Sequence, residues 1–422
     1  MKKKLFLAAT MALAMTAFAA PALADDAAVT ATEGLTQMND VYQIEDTVDF
    51  LAFAAKVNGG ETDAAAILLA DIDLTGTENY IPMGTYNDPY EGDFNGNGKT
   101  IKNLSITCND SHMWAGIFGV ISGDIYNFKL DNVDVVNNNQ SSGSDSAQAA
   151  SGTAAGAIRN GGSILDVTAL NTCSVEGYYR TGGIVGSCRD RNAEVTNCIN
   201  YATVEGNANY TGGIVGAAHN FFSIFSDFGT YVSGCKNHGD VTGTTEVGGI
   251  VGYTDRASVS GCLNKGTVTA TGNYGAGGIV GCDIYNPQSL FTPTMGSTIS
   301  NSTNEGTVTA PRAGGILGSY VVAPGDSQPG TARYSTISSC TNTGAISSPN
   351  GTGKCGAIYG APISYAQGDN PGNLGNMKVR IQNCQVGGSV EGEALTAENY
   401  STHIAASDIV EQSGNTFYAA TN

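Results

Sequence analysis

Hydrophobic and polar positions along this chain recur in fixed blocks separated by stretches of variable length. Residues 182–186, 212–216, 248–252 and 277–281 each read Gly-Gly-Ile-Val-Gly, and 314–318 read Gly-Gly-Ile-Leu-Gly. Weaker copies stand at 115–119, 155–158 and 356–360. A second block lies between the copies and aligns on Cys198, Cys235, Cys262, Ser302, Cys340 and Cys384. Three residues before that column stand Val195, Val232, Val259, Ile299, Ile337 and Ile381. Two residues after it stand Asn200, Asn237, Asn264, Asn304 and Asn342, with Val386 breaking the row. Six after it come Val204, Val241, Val268, Val308, Ile346 and Val390. Offsets inside the block are constant while the repeat length is not, so the variation belongs to loops, mostly those after Gly-Gly-Ile-Val-Gly.

Each repeat thus holds three short β-branched segments, none long enough to be stable alone. Coiling the chain stacks like segments in parallel at about 4.8 Å per rung and turns the Val and Ile columns into a continuous core. The pattern predicts an all-β, right-handed parallel β-helix, the hand following from the rule for parallel crossovers. A propeller would need antiparallel hairpins in each blade. The Asn column is expected at bends, where its amides can also ladder between rungs. Upstream, 101–104 (Ile-Lys-Asn-Leu) and 125–128 (Ile-Tyr-Asn-Phe) match the start of the second block. Before them, 46–57 reads as one amphipathic helix, capped by Asp46 or Thr47 and ended by Gly59 and Gly60. Such a helix would cover the open end of the coil. The expected organisation is a leader over 1–24, a cap and entry coils over 25–110, the repeats over 111–392 and a C-terminal cap over 393–422.

Composition narrows the function classes. The 422 residues carry 38 acidic and 19 basic side chains, a net charge of −19, which argues against nucleic acid or an anionic membrane as partner. Lys2, Lys3 and Lys4 precede an apolar run that ends in Ala22-Leu23-Ala24, the layout of a Sec signal peptide. A secreted or surface-associated chain without membrane insertion is expected.

Gly-Gly-Ile-Val-Gly followed by Asn-Cys-x-Asn-x-Gly-x-Val-x-Gly resembles the GLUG-motif repeats of bacterial surface and secreted proteins. The stretch from Ala70-Asp71-Ile72-Asp73-Leu74 through 91–106 is similar to the entry region of the same family. The resemblance runs from about Val41 to Gly392 and implies an adhesin-like binding scaffold. Some members carry an IgA-cleaving metallopeptidase elsewhere in the chain; its His-Glu-x-x-His signature is missing here, since the four histidines are His112, His219, His238 and His403. No catalytic residue, metal or cofactor is therefore expected.

Candidate chemistry is sparse. Residues 93–98 resemble the first half of a calcium loop, but Leu104 stands where a bidentate Glu is required, so an Asn-Gly turn is the simpler reading. No pair of the ten cysteines has Cys-x-x-Cys spacing. Stacked in a column they read as buried thiols, because parallel side chains on adjacent rungs hold Cβ atoms farther apart than a disulfide favours. After Gly-Gly-Ile-Val-Gly come Arg189, Asp190, Arg191, Asp255, Arg256 and Asp283. The reading preferred for them is a solvated charge row. The alternative is an inverting glycosidase pair in a polysaccharide-active hydrolase or lyase. Aromatics gather in the inserts: Phe221, Phe222, Phe225, Phe228, Tyr231, Tyr285, Phe291, Tyr320, Tyr334 and Tyr365. Of these, Phe221, Phe222, Tyr285, Phe291 and Tyr320 are the candidate contacts for a glycan or a host or matrix protein. A purely structural spacer is the remaining alternative.

Overall fold

The computed structural model describes residues 35–422 apart from 110–112, 141–148, 190–191, 220–228, 273, 286–294, 323–332, 350, 352–353, 365–376, 408–409 and 419–422. Residues 1–24 of the expected leader and the candidates Phe221, Phe222 and Phe291 lie outside the described residues.

The described chain is an all-β solenoid built from parallel strands. Val195, Val232, Val259, Ile299, Ile337 and Ile381 are successive partners from rung to rung. The Val204 to Val390 column pairs in the same way. These columns are buried and form one continuous core. Eight strands after the glycine motifs make a separate sheet, from Phe118–Ile121 through Ala155–Ile158, Val185–Arg189, Val215–His219, Val251–Asp255, Val280–Tyr285 and Leu317–Val322 to Ile363–Ser364. The remaining sides belong to one large sheet that wraps the coil. Among the described residues only two pairings are antiparallel, Gln37–Met38 with Val41–Ile44 and Ser389–Val390 with Glu393–Ala394, one near each end.

Helix α1 (Thr47–Asn58) forms as its sequence dictates. Asp46 is the N-cap and its carboxylate accepts from the Asp49 amide at 3.0 Å, and Gly59 closes the C-terminus. Phe50, Phe53, Ala54 and Val57 face inward. Phe53 packs against Tyr42, Tyr90 and Phe94, so the helix covers the first coils with aromatic contacts. Beyond Val390, Val410–Ser413 pairs with Met377–Gln382 and Thr416–Phe417 with Gln385–Val386, so the C-terminal segment adds a partial rung to the stack.

The asparagine column is a buried amide ladder. Asn200 Nδ2 donates to Asn237 Oδ1 at 2.9 Å, Asn237 to Asn264 at 2.9 Å, Asn264 to Asn304 at 2.9 Å and Asn304 to Asn342 at 2.8 Å. The second amide hydrogen closes a local turn onto the carbonyl two residues on, as with Gly266 at 3.0 Å. The left-handed conformation, however, lies at another bend of the rung. The left-handed residue stands one before the cysteine: Asn197, Gly234, Gly261, Asn301, Ser339 and Asn383, with φ between 50° and 63°.

The ladder explains the second glycine of each motif. A Cβ on Gly183, Gly213, Gly249, Gly278 or Gly315 would sit 2.2–2.5 Å from the Cγ of Asn200, Asn237, Asn264, Asn304 or Asn342 respectively. At both ends of the ladder the two positions change together. Ala357 replaces glycine where Val386 replaces Asn, and Thr153, level with Gly183, goes with Ala169, the rung partner of Asn200.

Two upstream alignments need correction. Ala155, not Gly152, starts the weak copy at 155–158, yet Ala155 pairs with Val185, so 152–156 is the true counterpart of 182–186. Ile125 shares the Ile164–Val195 column, but Ile101 pairs with Ile72 and Leu130 and belongs to the asparagine column instead. The loop over 93–98 is a tight turn, with the Asn97 amide donating to Asn95 Oδ1 at 2.8 Å. All ten cysteines are buried free thiols. Those of the column donate to backbone carbonyls, Cys235 Sγ to Val195 at 3.5 Å for example, and burial pushes the Cys235 thiol up, keeping it protonated.

Candidate functional site on the outer face of the eight-stranded sheet

The inserts leave the coil at one edge. Residues 190–191, 220–228, 286–294, 323–332 and 365–376 each follow directly on a strand of the eight-stranded sheet. Successive residues of a strand face opposite sides, and the register assigns them. Cys188, Ala218 and Tyr320 join the core, and Thr254 and Asp283 fall in the same inward column. Ser187, Ala217, Tyr253, Cys282 and Ser319 form the outward column. Ala217, Tyr253, Cys282 and Ile284 make a small apolar cluster separate from the core, with Tyr210 and Tyr274 packed against it.

Beside that cluster runs a row of ionisable groups. Arg189, His219 and Asp255 are rung partners at the edge where the inserts depart. His219 Nε2 lies 3.2 Å from Ser187 Oγ. Burial, reinforced by Arg180 and Arg189, holds the imidazole well below its usual pKa and therefore neutral at pH 7. Asp255 pairs with Arg256 Nε at 3.2 Å, and its Oδ2 has no hydrogen-bond partner among the described residues. Burial pushes its pKa up to about 7 against the pull of Arg256. On the facing corner, just before the glycines, Arg180, Tyr210 and Glu246 occupy left-handed backbone with φ of 43°, 67° and 49°. Tyr210 packs against Tyr253 with centroids 4.5 Å apart and ring planes tilted by 46°. Glu246 is buried, accepts from Thr245 Oγ1 and is pushed up to about 7 by desolvation.

The row continues toward the N-terminal coils and opens there. Arg159 follows strand Ala155–Ile158, and its guanidinium lies 3.8 Å over the Tyr86 ring while Nη1 donates to the Tyr86 carbonyl at 2.6 Å. Arg189 lies 5.4 Å from the same ring. Trp114 stacks on Tyr86 at 5.4 Å with planes 19° apart. Trp114, Tyr86 and Arg159 are half-buried, whereas Arg189, His219 and Asp255 are buried.

Several expected site residues stand differently. Tyr320 is fully buried in the core, because its strand position is inward, and it cannot be a surface contact. Tyr285 ends strand Val280–Tyr285 at the insertion edge. Tyr231 and Tyr334 are strand residues of the large sheet rather than parts of inserts. Tyr231 is exposed, and Tyr334 is covered by Arg380 at 3.7 Å and donates to Glu411 at 3.0 Å. Phe225, Phe228, Tyr365, Asp190 and Arg191 lie outside the described residues.

The solvated charge row is likewise corrected. Arg189, Asp255, Arg256 and Asp283 are all buried. Asp283 is level with Thr254, not Asp255, so it turns into the coil. There it accepts from Thr254 Oγ1 at 2.8 Å, Ser297 Oγ at 2.6 Å and Ser335 Oγ. Asp255 and Asp283 therefore face opposite sides of the sheet; Asp190, expected two rungs from Asp255 at the spacing of an inverting glycosidase pair, lies outside the described residues. Sequence reasoning missed Tyr86, Trp114 and Arg159; the one available signal was that Trp114 is the single tryptophan.

No family model matches the chain. Over an alignment of 130 residues that covers 28% of the chain, it is 34% identical to halomucin of Haloquadratum walsbyi and spans 1% of that protein's length. Among solved structures, a putative immunoglobulin A1 protease from Bacteroides ovatus aligns with TM-score 0.47 and 20% identity, over 79% of this chain and 87% of that one.

Proposed function

We propose that the chain is a non-catalytic, adhesin-like scaffold of the GLUG-repeat type, secreted or held at the cell surface, that binds a glycan or a host or matrix protein along its insertion edge. The observation that carries this reading is that the strands preceding the long inserts all end along one edge of the coil, the edge that carries a row of arginine, histidine and aromatic side chains. A stack of rungs fixes the spacing of such loops while leaving their sequences free to diverge. The segment similarity to halomucin, by its name a mucin, supports a place outside the cytoplasm.

The test is a glycan array together with immobilised matrix proteins, run beside a reducing-end assay on a polysaccharide panel. Retention without turnover supports the scaffold. Release of new reducing ends that scales with protein concentration would replace it with an enzyme, and neither signal would leave only a spacer.

A further inference from the structure

We propose that the outer face of helix α1 is a two-fold interface through which two copies of this chain join end to end. This goes beyond the binding reading above and does not depend on it. Eight of the twelve residues of α1 are apolar. Phe50, Phe53, Ala54 and Val57 face the core. Val48, Ala52 and Ala55, at i, i+4 and i+7, form a second apolar stripe turned away from it, with Leu51 half-buried at its margin. Val48 is 65% exposed. A helix that is apolar on both faces is normally covered on both. Among the described residues, the exposed large hydrophobic side chains other than tyrosines are Met38, Val48, Leu69 and Ile81, all in this cap. Such a concentration marks an interaction surface rather than scattered exposure.

The partner is a second copy because the stripe is its own complement. A two-fold axis at the middle of the helix, with the two helices antiparallel, sets Val48 against the partner's Ala55 and Ala52 against the partner's Ala52. Large meets small, and the helices can approach closely at the centre. Charge selects the antiparallel orientation. Asp49 and Lys56 lie seven residues apart on one flank of α1. Antiparallel packing brings Asp49 beside the partner's Lys56, which is also held by Glu61 at 2.9 Å, whereas parallel packing would set Asp49 against its own copy. Leu69 and Ile81 extend the patch at opposite ends. The Leu69 amide donates to the Ile44 carbonyl at 2.8 Å just before the helix, and Asn58 Nδ2 donates to the Ile81 carbonyl at 3.3 Å at its other end. The same axis brings Leu69 toward the partner's Ile81. The helix is only about 18 Å long, so the contact is at the small end of specific interfaces and the dimer is a weak one, with a dissociation constant of about 10–100 µM.

Sedimentation equilibrium of the full chain from about 1 to 300 µM tests this. The mass should rise from 43.2 kDa toward twice that value, and small-angle scattering should show the longest dimension nearly doubling. Ala52→Glu sets two carboxylates face to face on the axis, and Val48→Ser removes the most exposed side chain of the stripe. Each should weaken association by at least about tenfold, with thermal unfolding monitored alongside. Val48 is 65% exposed, so Val48→Ser keeps the fold even if Ala52→Glu does not. Tyr201→Ser, at an exposed ring outside the cap, should leave the dimer unchanged. A chain that stays monomeric throughout overturns the proposal. So does association that the folded Val48→Ser and Ala52→Glu chains retain at wild-type strength, which would belong to another surface, and so does a dimer no longer than the monomer, with the coils side by side. If the chain dimerises in this way but binds nothing on the array, the scaffold reading falls while the interface stands.

Discussion

Replacing Asn264 with alanine, alone and with Gly249→Ala, probes the coupling between the amide ladder and the glycine corner. Asn264 is fully buried and donates to Asn304 Oδ1 at 2.9 Å and to the Gly266 carbonyl at 3.0 Å. Its own Oδ1 accepts from Asn237, which keeps a second acceptor in the Gly239 carbonyl at 2.8 Å. Truncation strips donors from two buried acceptors, at about 1–3 kcal/mol each, removes the acceptor of one Asn237 amide hydrogen, and leaves a small cavity. The single change should cost about 3–6 kcal/mol. A Cβ on Gly249 would stand 2.1 Å from the Gly278 carbonyl oxygen, 2.4 Å from Asn264 Cγ and 2.6 Å from its Nδ2. Overpacking of that kind costs about 1–3 kcal/mol or more. Removing the Asn264 side chain clears two of those three contacts, so the double variant should be about 1–2 kcal/mol more stable than the sum predicts. The Ala357 and Val386 pair is the natural version of this double change. Urea unfolding of the four proteins, followed by circular dichroism, closes the cycle. Costs that add within about 0.5 kcal/mol would refute the coupling.

Two further expectations follow from burial. Val241→Asp and Ile250→Asp place a lone carboxylate in the core and should each cost several kcal/mol, about 3 or more, while Thr244→Asp at a half-exposed corner should shift the urea midpoint little; equal losses at all three sites would contradict the column assignment. Glu246 titrates near 7 in the folded chain against an ordinary value of 4.5, so the unfolded chain binds fewer protons between those values and this residue's contribution to stability falls as pH rises from about 4.5 to 7, then levels. Glu246→Gln removes that slope, and its stability relative to wild type should climb by up to about 3 kcal/mol between pH 4.5 and 7.5; a difference independent of pH in urea titrations would show that Glu246 is not buried as a neutral acid.

What the sequence made legible was set by landmarks. The Cys198 and Asn200 columns and their Val and Ile companions could be aligned by eye, because side chains at fixed offsets meet the same partner on every rung. The left-handed bend was not visible, since Asn, Gly and Ser share that position. Between the glycine motif and the charged residues no landmark fixes the count, and a one-residue shift moves a strand side chain from outside to inside. That shift is what placed Asp283 and Tyr320 on the surface in the sequence reading, when both point into the coil. In the entry coils, Ile101 and Ile125 carry the same local pattern but different partners, because pairing there is decided by the neighbouring rung rather than by the motif. The stack of Trp114 on Tyr86 joins residues from separate segments, with no repeat to announce it.

The most direct test of the account is whether binding resides in the inserts. A chain in which 220–228 and 286–294, which contain Phe221, Phe222 and Phe291, are replaced by Gly-Ser segments of equal length would be passed over immobilised mucin glycoprotein beside the wild type. The account predicts that the wild-type chain is retained, that the exchanged chain is not, and that both melt at the same temperature, because the rungs are unaltered. Equal retention of the two chains, or passage of the wild-type chain without delay, would contradict it.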